Sequence, residues 1–294
     1  EATVELLGQT VSLKREGWNG DEKRVKARFE ELDGEVDALG VGGIDLWLYS
    51  DQGRQPYYAA NALVSGLKST PVVDGSGLKN TLERRIPAFL EKNKLLSGRN
   101  VLVVCGCDRF GLASAFYEAG FDVLCGDLGF ALGMEIPIRD RAWLNRMVGW
   151  LCPVLTRLPI SMLYPTGDAQ LTIEPKFTDW YAWADVIAGD FLYIKKHMPD
   201  DLSGKLVVTN TTTDADRALL AQRGVRRVVT TTPSLNGRTF GTNLFEAALT
   251  AASGKGRALE QNELEEILDK LNLEPTIIDL GDQDPPLLVR QDAA

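Results

Sequence analysis

Residues 100–111, NVLVVCGCDRFG, place a glycine-rich loop directly after an apolar strand and before a helix. The loop nearly matches the G-x-G-x-x-G pattern, whose glycines let the backbone approach the pyrophosphate of a dinucleotide. Gly106 and Gly111 occupy the first and third glycine positions, whereas Asp108 stands at the second. A carboxylate there crowds and repels a phosphate, unless Arg109 pairs with Asp108 or meets the phosphate itself. The alternative is that Asp108 caps the helix that follows.

Asp127 ends the next strand, 21 residues after Gly106. An acid at this spacing binds the adenosine ribose in dinucleotide-binding proteins, and it favours the free 2′-hydroxyl of NAD over the 2′-phosphate of NADP. The order of strand, loop, helix, strand and acid is that of a nucleotide-binding βαβ unit. Enzymes that use S-adenosylmethionine also combine a glycine loop with an acid, and such a ligand tolerates Asp108 better because it has no pyrophosphate.

Lys79 lies in the stretch DGSGLKN (74–80), after a glycine-rich turn and near a predicted helix start. A lysine at a helix N-terminus is electrostatically unfavourable, which indicates a role beyond solubility. In a crevice, a lysine with a lowered pKa can act as the general acid/base of a hydroxyl–carbonyl interconversion. Asp74 or Asp45 is the expected partner of this lysine. The alternative is a solvated surface lysine.

Polar residues follow other apolar strands, as in VVTNTTTD (207–214) and VVTTTPS (228–234). The first stretch predicts hydrogen bonds to the ribose or carboxamide of a cofactor from Asn210, Thr211, Thr212 and Thr213. The expected substrate contacts are Gly43, Ser76, Asn80, Arg238 and Asn243. Arg238 and the N–H groups of a helix start would hold an anion, whereas ordinary turns and caps are the alternative for these stretches. His197 is predicted to lie on the surface of a helix or at an interface.

The elements that must position these residues alternate between strands and helices, which predicts right-handed parallel βαβ units. We therefore expect an α/β fold with a smaller N-terminal α/β substrate domain (1–98) and a Rossmann-like, doubly wound nucleotide-binding domain (99–255). Strands of the second domain are predicted at 100–105, 121–127, 184–190, 204–210 and 226–233, with the ligand crevice at their carboxyl ends. A hairpin at 3–15 and a helix at 78–93 kinked at Pro87 belong to the first domain. The helix and strand of 256–294 are expected to cross back to that domain.

Composition limits the partners of this chain. The 294 residues include 44% hydrophobic residues and carry a formal net charge of −9, which argues against nucleic-acid and anionic-membrane partners. A small anionic substrate in a locally cationic pocket stays compatible with this charge, as does a homo-oligomer. The four cysteines lack metal-site spacing, so we predict reduced thiols, no metal and a cytoplasmic protein.

Several stretches resemble bacterial quinate 5-dehydrogenases, a family related by name to the quinate/shikimate dehydrogenases. They are GGIDL (42–46), TPVVDGSGLKNTLERR (70–85), GDLGFALG (126–133), LYPTG (163–167), ADVIAGDF (184–191), TNTTT (209–213) and GTN (241–243). The resemblance implies a two-domain α/β fold with NAD(P) in the C-terminal Rossmann domain and a lysine–aspartate pair for proton transfer. Lys79 matches that lysine by its place after a strand, whereas the aspartate segment Gly-Asp-Asn-Thr-Asp does not occur here.

The leading functional hypothesis is an NAD-dependent dehydrogenase of a cyclic polyol acid such as quinate, in which Lys79 takes the hydroxyl proton. Two alternatives stay open. One is a transferase that uses S-adenosylmethionine or another nucleoside, and the other is a non-catalytic two-domain ligand-binding protein. All three hypotheses place a small molecule in a cleft between two α/β domains.

Overall fold

The N-terminal part of the computed structural model consists of small two-stranded sheets and short helices. Its elements are β1 (Ala2–Leu6), β2 (Gln9–Leu13), α1 (Glu22–Leu32), β3 (Leu39–Gly40), β4 (Trp47–Ser50), β5 (Gly53–Pro56), α2 (Tyr58–Val64), β6 (Val72–Val73), α3 (Ser76–Arg84) and α4 (Ile86–Lys92). Strands β1 and β2 form an antiparallel hairpin, β4 and β5 form a second one, and β3 lies parallel to β6. The structure describes residues 1–281 apart from 19, 52, 156, 158–171, 233, 236–237 and 240.

The predicted helix over 78–93 is divided in the structure. Helix α3 ends at Arg84 and α4 begins at Ile86, so the chain forms two helices where the sequence suggests one kinked helix. Pro87 lies in the first turn of α4. A proline is tolerated there because the N–H that it lacks would have no partner within the helix.

From residue 99 the chain builds a six-stranded sheet with its covering helices. The elements are β7 (Asn100–Val103), α5 (Phe110–Glu118), β8 (Asp122–Cys125), α6 (Asp127–Leu132), α7 (Arg141–Leu155), α8 (Thr178–Trp183), β9 (Val186–Ala188), α9 (Phe191–His197), β10 (Leu206–Thr209), α10 (Asp214–Gln222), β11 (Arg227–Thr230), β12 (Ser234–Leu235), β13 (Arg238–Thr239), α11 (Thr242–Ser253), α12 (Gln261–Lys270) and β14 (Thr276–Asp279). The strand order is β14-β11-β10-β9-β7-β8, with β7 to β11 parallel. This parallel sheet with its covering helices confirms the predicted Rossmann-like α/β class. Its strands are rich in Val, Leu and Ile and buried on both faces, as is typical of parallel sheets.

The C-terminal strand joins the main sheet. Strand β14 pairs antiparallel with β11 at the sheet edge, so the expectation that it crosses back to the N-terminal part is wrong. Its burial alternates along the strand, as in an edge strand with one open face. Helices α11 and α12 do pack with the N-terminal part, since Phe245 and Leu264 share a core with Leu78 and Leu82 of α3. None of the described helices is both long and apolar enough to span a membrane.

The sheet reverses its strand order between β7 and β9, which lie side by side. In open α/β sheets such a switch point leaves a crevice at the carboxyl ends of the strands. Helix α3 packs against α5, the helix that follows β7. The first turns of α3 and the β7–α5 loop line one cleft at this edge of the sheet.

Candidate functional site

Lys79 and Asp45 form an ion pair in the cleft between the N-terminal part and the carboxyl edge of the sheet. The ammonium of Lys79 lies 2.7 Å and 2.8 Å from the two carboxylate oxygens of Asp45. Lys79 projects from the first turns of α3, and Asp45 from the segment that precedes β4. Their side chains are 11% and 13% exposed and both line the cleft, so the pair is shielded from bulk water and still open to a ligand. Of the two predicted partners of Lys79, the structure places Asp45 in contact.

Asp74 organises the turn that presents this pair. One carboxylate oxygen accepts hydrogen bonds from the backbone N–H groups of Leu46 and Trp47. The other accepts from the Ser76 backbone N–H at 2.9 Å and from the Ser76 hydroxyl at 2.6 Å. Asp74 thus joins the segment of Asp45 to the start of α3. Its geometry is that of a carboxylate that stabilises a turn.

Burial and charge set the protonation of the Lys79–Asp45 pair. Burial raises the pKa of Asp45 to about 7, while Lys79 opposes the shift and the carboxylates of Asp108 and Asp74 reinforce it. Burial by itself lowers the pKa of Lys79, but the attraction of Asp45 outweighs it, so the pKa of Lys79 lies above its ordinary value. This direction is opposite to the lowered lysine pKa expected from the sequence. Asp45, not Lys79, therefore exchanges its proton near neutral pH, where a general base is most effective.

Arg109 binds three carboxylates at the switch point of the sheet. Its Nε donates to Asp108 at 2.9 Å, one terminal nitrogen to Glu83 at 2.5 Å and the other to Asp190 at 2.7 Å. The side chains of Arg109 and Glu83 are each 3% exposed. These interactions connect α3, the β7–α5 loop and the end of β9. The predicted pairing of Arg109 with Asp108 is confirmed, and Arg109 acts as a clamp between the N-terminal part and the sheet.

The carboxylate of Asp127 occupies the loop that the sequence assigns to a nucleotide. One oxygen accepts from the N–H of Gly106 at 2.9 Å, and the other accepts from the N–H of Cys107 at 2.8 Å. A pyrophosphate bound in this type of loop needs backbone N–H groups of the same kind. Gly106 itself serves the packing of β8, since a Cβ atom there would lie 2.7 Å from the sulfur of Cys125.

The loop therefore does not fit a diphosphate in the arrangement described. Asp127 holds two N–H groups, and the donors of Arg109 are directed at carboxylates. Asp108 and Asp190 add negative charge around the same loop, which repels an anion.

The predicted substrate residues divide between the cleft and its surroundings. Ser76 and Asn80 line the cleft. Asn243 lies in the first turn of α11, packed against glycines of the N-terminal part, and Gly43 is exposed in the turn before Asp45. Arg238 belongs to β13, and its side chain lies outside the described residues.

The predicted cofactor residues after β10 have different surroundings in the structure. Asn210 donates to Asp190 at 3.0 Å and thereby extends the network of Arg109. Thr213 caps α10 by accepting from the N–H of residue 216, while Thr211 is half-buried. The hydroxyl of Thr212 is buried without a hydrogen-bond partner among the described residues, as are those of Thr230, Thr231 and Thr232. These hydroxyls form a buried polar group at the ends of β10 and β11.

The cleft itself is narrow. It is bounded by β4, with Trp47 and Tyr49, and by α3, and it admits about one water molecule. The β4–β5 hairpin is fastened to α7 by an ion pair of 2.7 Å between Asp51 and Arg141. A ligand of the size of a polyol acid is therefore larger than the cleft in the arrangement described. The described residues contain no cluster of three or more His, Cys, Asp or Glu side chains arranged to hold a metal ion.

Sequence reasoning missed two partners of Arg109. Glu83 lies one helical turn after Lys79, and this i, i+4 spacing, which puts both side chains on one face of α3, is a signal that could have found it. Asp190 follows β9 in a polar strand end, but nothing in the sequence indicates that it meets Arg109 rather than solvent. Glu246 of α11, which accepts from the N–H of Leu78 at 2.9 Å, carries no sequence signal.

His197 is buried, so its predicted surface position is wrong. Its ring stacks on Phe130 with centroids 5.1 Å apart, and its Nδ1 lies 3.1 Å from the carbonyl oxygen of Glu174. The end of α9 packs into an aromatic cluster of the sheet domain, which the local sequence does not reveal.

Two family models match the chain. One is described as a Domain of unknown function (DUF8754) and matches residues 77–280, and the other is described as a Domain of unknown function (DUF8753) and matches residues 1–74. Their boundary falls in the turn before α3, so Asp45 and Lys79 come from different matched regions. No curated protein matches the chain.

Solved structures resemble the chain distantly. An NAD-dependent malic enzyme from Thermotoga maritima has 12% identity and a TM-score of 0.33, with 84% of this chain and 59% of that chain covered. A dipicolinate synthase chain from Bacillus halodurans has 15% identity and a TM-score of 0.30, with 72% and 62% covered. The substrate-binding protein of a sugar ABC transport system from Bordetella parapertussis has 11% identity and a TM-score of 0.32, with 92% and 81% covered. The chain spans less than two thirds of the first two proteins, and the likeness concerns the fold alone.

Proposed function

We propose that this chain, which belongs to the DUF8754 family, is an oxidoreductase that oxidises a hydroxyl of a small cyclic polyol acid of the quinate or shikimate type. The observation that carries the proposal is the ion pair of Lys79 with Asp45 in the cleft at the switch point of the sheet. The resemblance to quinate 5-dehydrogenases supports it, because the similar stretches 42–46 and 70–85 contain these two residues.

In this proposal Asp45 is the base and Lys79 is the group that orients the substrate. The carboxylate of Asp45 accepts the proton of the substrate hydroxyl, and the ammonium of Lys79 donates a hydrogen bond to the same oxygen as its negative charge develops. Proton transfer of this kind contributes roughly 10²–10⁴-fold to a rate. Lys79 and Arg109 are both paired with carboxylates, so the hydroxyl groups of the substrate enter the cleft and its own carboxylate stays towards solvent.

The resemblance implies a nicotinamide dinucleotide, with NAD favoured over NADP by Asp127, as the hydride acceptor of such a dehydrogenase. The β7–α5 loop does not fit its diphosphate while Asp127 holds the N–H groups of Gly106 and Cys107. No contact with the diphosphate is therefore assigned to this loop. The binding of NAD is the part of the proposal to test first.

The experiment combines calorimetric titration of the purified chain with NAD and an assay of NADH formation from quinate and from shikimate. We expect binding, and turnover whose kcat/KM rises with pH through about 7, because Asp45 must lose its proton to act as the base. Asp45→Asn and Lys79→Met are expected to lower kcat by roughly 10²-fold or more. Lys92→Met is the matched control, since Lys92 is an exposed lysine of α4 that pairs with Glu274 outside the cleft.

The absence of both NAD binding and NADH formation would overturn the dehydrogenase proposal. Equal activity of Lys79→Met and Lys92→Met would remove the Lys79–Asp45 pair from the mechanism even if the chain proves to be a dehydrogenase.

A transferase that uses S-adenosylmethionine is the second candidate, and the acidic surroundings of the loop favour it. Asp108, Asp127 and Asp190 suit a nucleoside that carries a positive sulfonium and no phosphate. A thermal-shift comparison of NAD, NADP and S-adenosylmethionine separates the two candidates, because a bound ligand raises the melting temperature. A shift with S-adenosylmethionine alone supports the transferase, and a shift with NAD alone excludes it.

A further inference from the structure

We infer that Asp108, at the position of the second glycine of a dinucleotide-binding loop, is a positioning residue for Asp45 and accepts a hydrogen bond from its carboxyl group once Asp45 has taken a proton from a ligand hydroxyl. The inference rests on the proposed role of Asp45 as the base. It assigns a function in proton transfer to the carboxylate that stands where the loop pattern has its second glycine.

The geometry places the two carboxyl groups in one narrow cleft. Both Asp45 and Asp108 line it, and each carboxyl group lies close enough to the other to act on its pKa. Asp108 is held from behind by Arg109, whose Nε lies 2.9 Å from its carboxylate. Asp45 is held on its other side by Lys79. Each carboxyl group therefore has its own cation, and the two carboxyl groups share the cleft.

Two carboxyl groups that line one narrow cleft tend to share a proton, because ionising both brings like charges close together. The charged groups that face Asp45 are Lys79 of α3, Asp74 of the turn before α3 and Asp108 of the loop, and Glu246 of α11 lies within electrostatic reach. Those that face Asp108 are Arg109, Lys79, Asp45, Glu83, Cys105 and Tyr193.

The two pKa values move apart in the direction that this arrangement requires. Burial would raise the pKa of Asp108, but Arg109 and Lys79 outweigh burial and hold it below its ordinary value. Burial and the charge of Asp108 raise the pKa of Asp45. A carboxyl pair with separated pKa values divides into an acid and a base. When the pair holds one proton, that proton therefore resides on Asp45, from which the O–H can donate to the carboxylate of Asp108.

The step consists of a proton transfer alone. The O–H bond of the ligand hydroxyl breaks, its electron pair stays on the ligand oxygen, and a new O–H bond forms on Asp45. That O–H group donates to Asp108, which stays ionised beside Arg109. Asp108 thereby makes Asp45 a stronger base than a carboxylate with Lys79 as its only neighbour.

The test follows the Asp45 carboxyl by NMR in the full chain labelled with ¹³C at its aspartate carboxyl carbons. We expect one signal to titrate near pH 7, to vanish in Asp45→Asn, and to titrate about one pH unit lower in Asp108→Asn. Asp190→Asn is the matched control, because Asp190 also binds Arg109, at 2.7 Å, but does not line the cleft. Its effect on this signal is expected to be clearly smaller.

Equal shifts in Asp108→Asn and Asp190→Asn, or no shift in either, would overturn the inference. Asp108→Gly restores the glycine pattern and provides an independent test. An increase in NAD affinity without a change in the Asp45 titration would show that Asp108 acts on the phosphate site and not on Asp45. The titration needs no turnover, so a failed dehydrogenase assay and a failed role of Asp108 stay distinguishable.

Discussion

Lys79 and Arg109 are the two cations described in the site, and they face different surroundings. Lys79 contacts the carboxylate of Asp45, lines the cleft and is 11% exposed. Arg109 contacts three carboxylates and is 3% exposed. A planar guanidinium presents donors in several fixed directions, whereas an ammonium is a compact point charge on a flexible chain. Each residue type therefore suits its place.

This difference indicates a structural role for Arg109 and a chemical role for Lys79. Arg109 directs its donors at groups on α3, the β7–α5 loop and the end of β9, so it holds these elements together. Lys79 has a single carboxylate partner beside a cleft, so a ligand can join the pair. Asp108 links the surroundings of the two cations, because it accepts from Arg109 and lines the cleft together with Lys79 and Asp45.

Replacing Arg109 is expected to have the largest effect on stability. Arg109→Ala leaves Glu83, Asp108 and Asp190 without their cation and should lower the free energy of unfolding by about 3–5 kcal/mol. Lys79→Met should cost only about 1 kcal/mol, because the unpaired Asp45 can take up a proton. Urea denaturation at pH 7 measures both losses.

Arg109→Lys is the control for charge in this comparison. It keeps the positive charge but cannot reproduce the fork of donors, so an intermediate loss is expected. Equal losses for Arg109→Ala and Lys79→Met would contradict the division between a structural and a reactive cation.

Much of the sheet can be predicted from the sequence, because its strands are continuous apolar runs with polar ends. The run at 100–105 and the run at 204–210 appear as β7 and β10 with shorter bounds. The pairing of β14 could not be predicted, since any open edge of a sheet satisfies the hydrogen bonds of such a strand. The division between α3 and α4 followed from Pro87, whose effect depends on its position within the turn.

The sequence predicts which residues belong to the candidate site. It predicts few of the contacts between them. The sequence indicates Lys79, Asp45 and Asp108, and the structure brings them together in one cleft. The spacing of Asp127 from Gly106 places this acid beside the loop, but its bonds to the loop N–H groups depend on the tertiary packing of β8. The lysine pKa was misjudged because burial and an adjacent carboxylate act in opposite directions, and only distances decide which prevails.

Glu246 extends the comparison to a buried carboxylate that forms no ion pair with Lys79 or Arg109. It accepts a hydrogen bond from the backbone N–H of Leu78. Burial raises its pKa to about 8, and Asp74 reinforces the shift. The folded state therefore keeps the Glu246 proton up to about pH 8, whereas the unfolded state releases it near pH 4.5. The contribution of Glu246 to the free energy of unfolding is complete below pH 4.5 and is lost as the pH rises through 8.

Glu246→Gln should remove this part of the pH dependence, since glutamine does not ionise. The variant is expected to be more stable than the wild type by about 2 kcal/mol at pH 9, with each unit of pKa shift worth at most about 1.4 kcal/mol. Urea denaturation at pH 5, 7 and 9 measures the difference. The exposed Glu266→Gln serves as the control, and the same flattening in that variant would contradict the assignment to Glu246.

Gly111→Ala is expected to have the smallest effect, and it tests how rigidly the two cations are held. A Cβ atom at Gly111 would overlap the side-chain oxygen of Asn80 and lie 3.2 Å from its backbone oxygen, so the glycine lets α5 pack closely on α3. Overpacking of this kind should cost about 1–2 kcal/mol. Gly149→Ala is the matched control, because Gly149 lies in α7 with open space around it, and alanine there should stabilise the helix by about 0.5–1 kcal/mol. If both substitutions prove stabilising, α3 and α5 can move apart at little cost. The distance between Lys79 and Arg109 would then not be fixed by packing, and the ion pairs alone would have to set it.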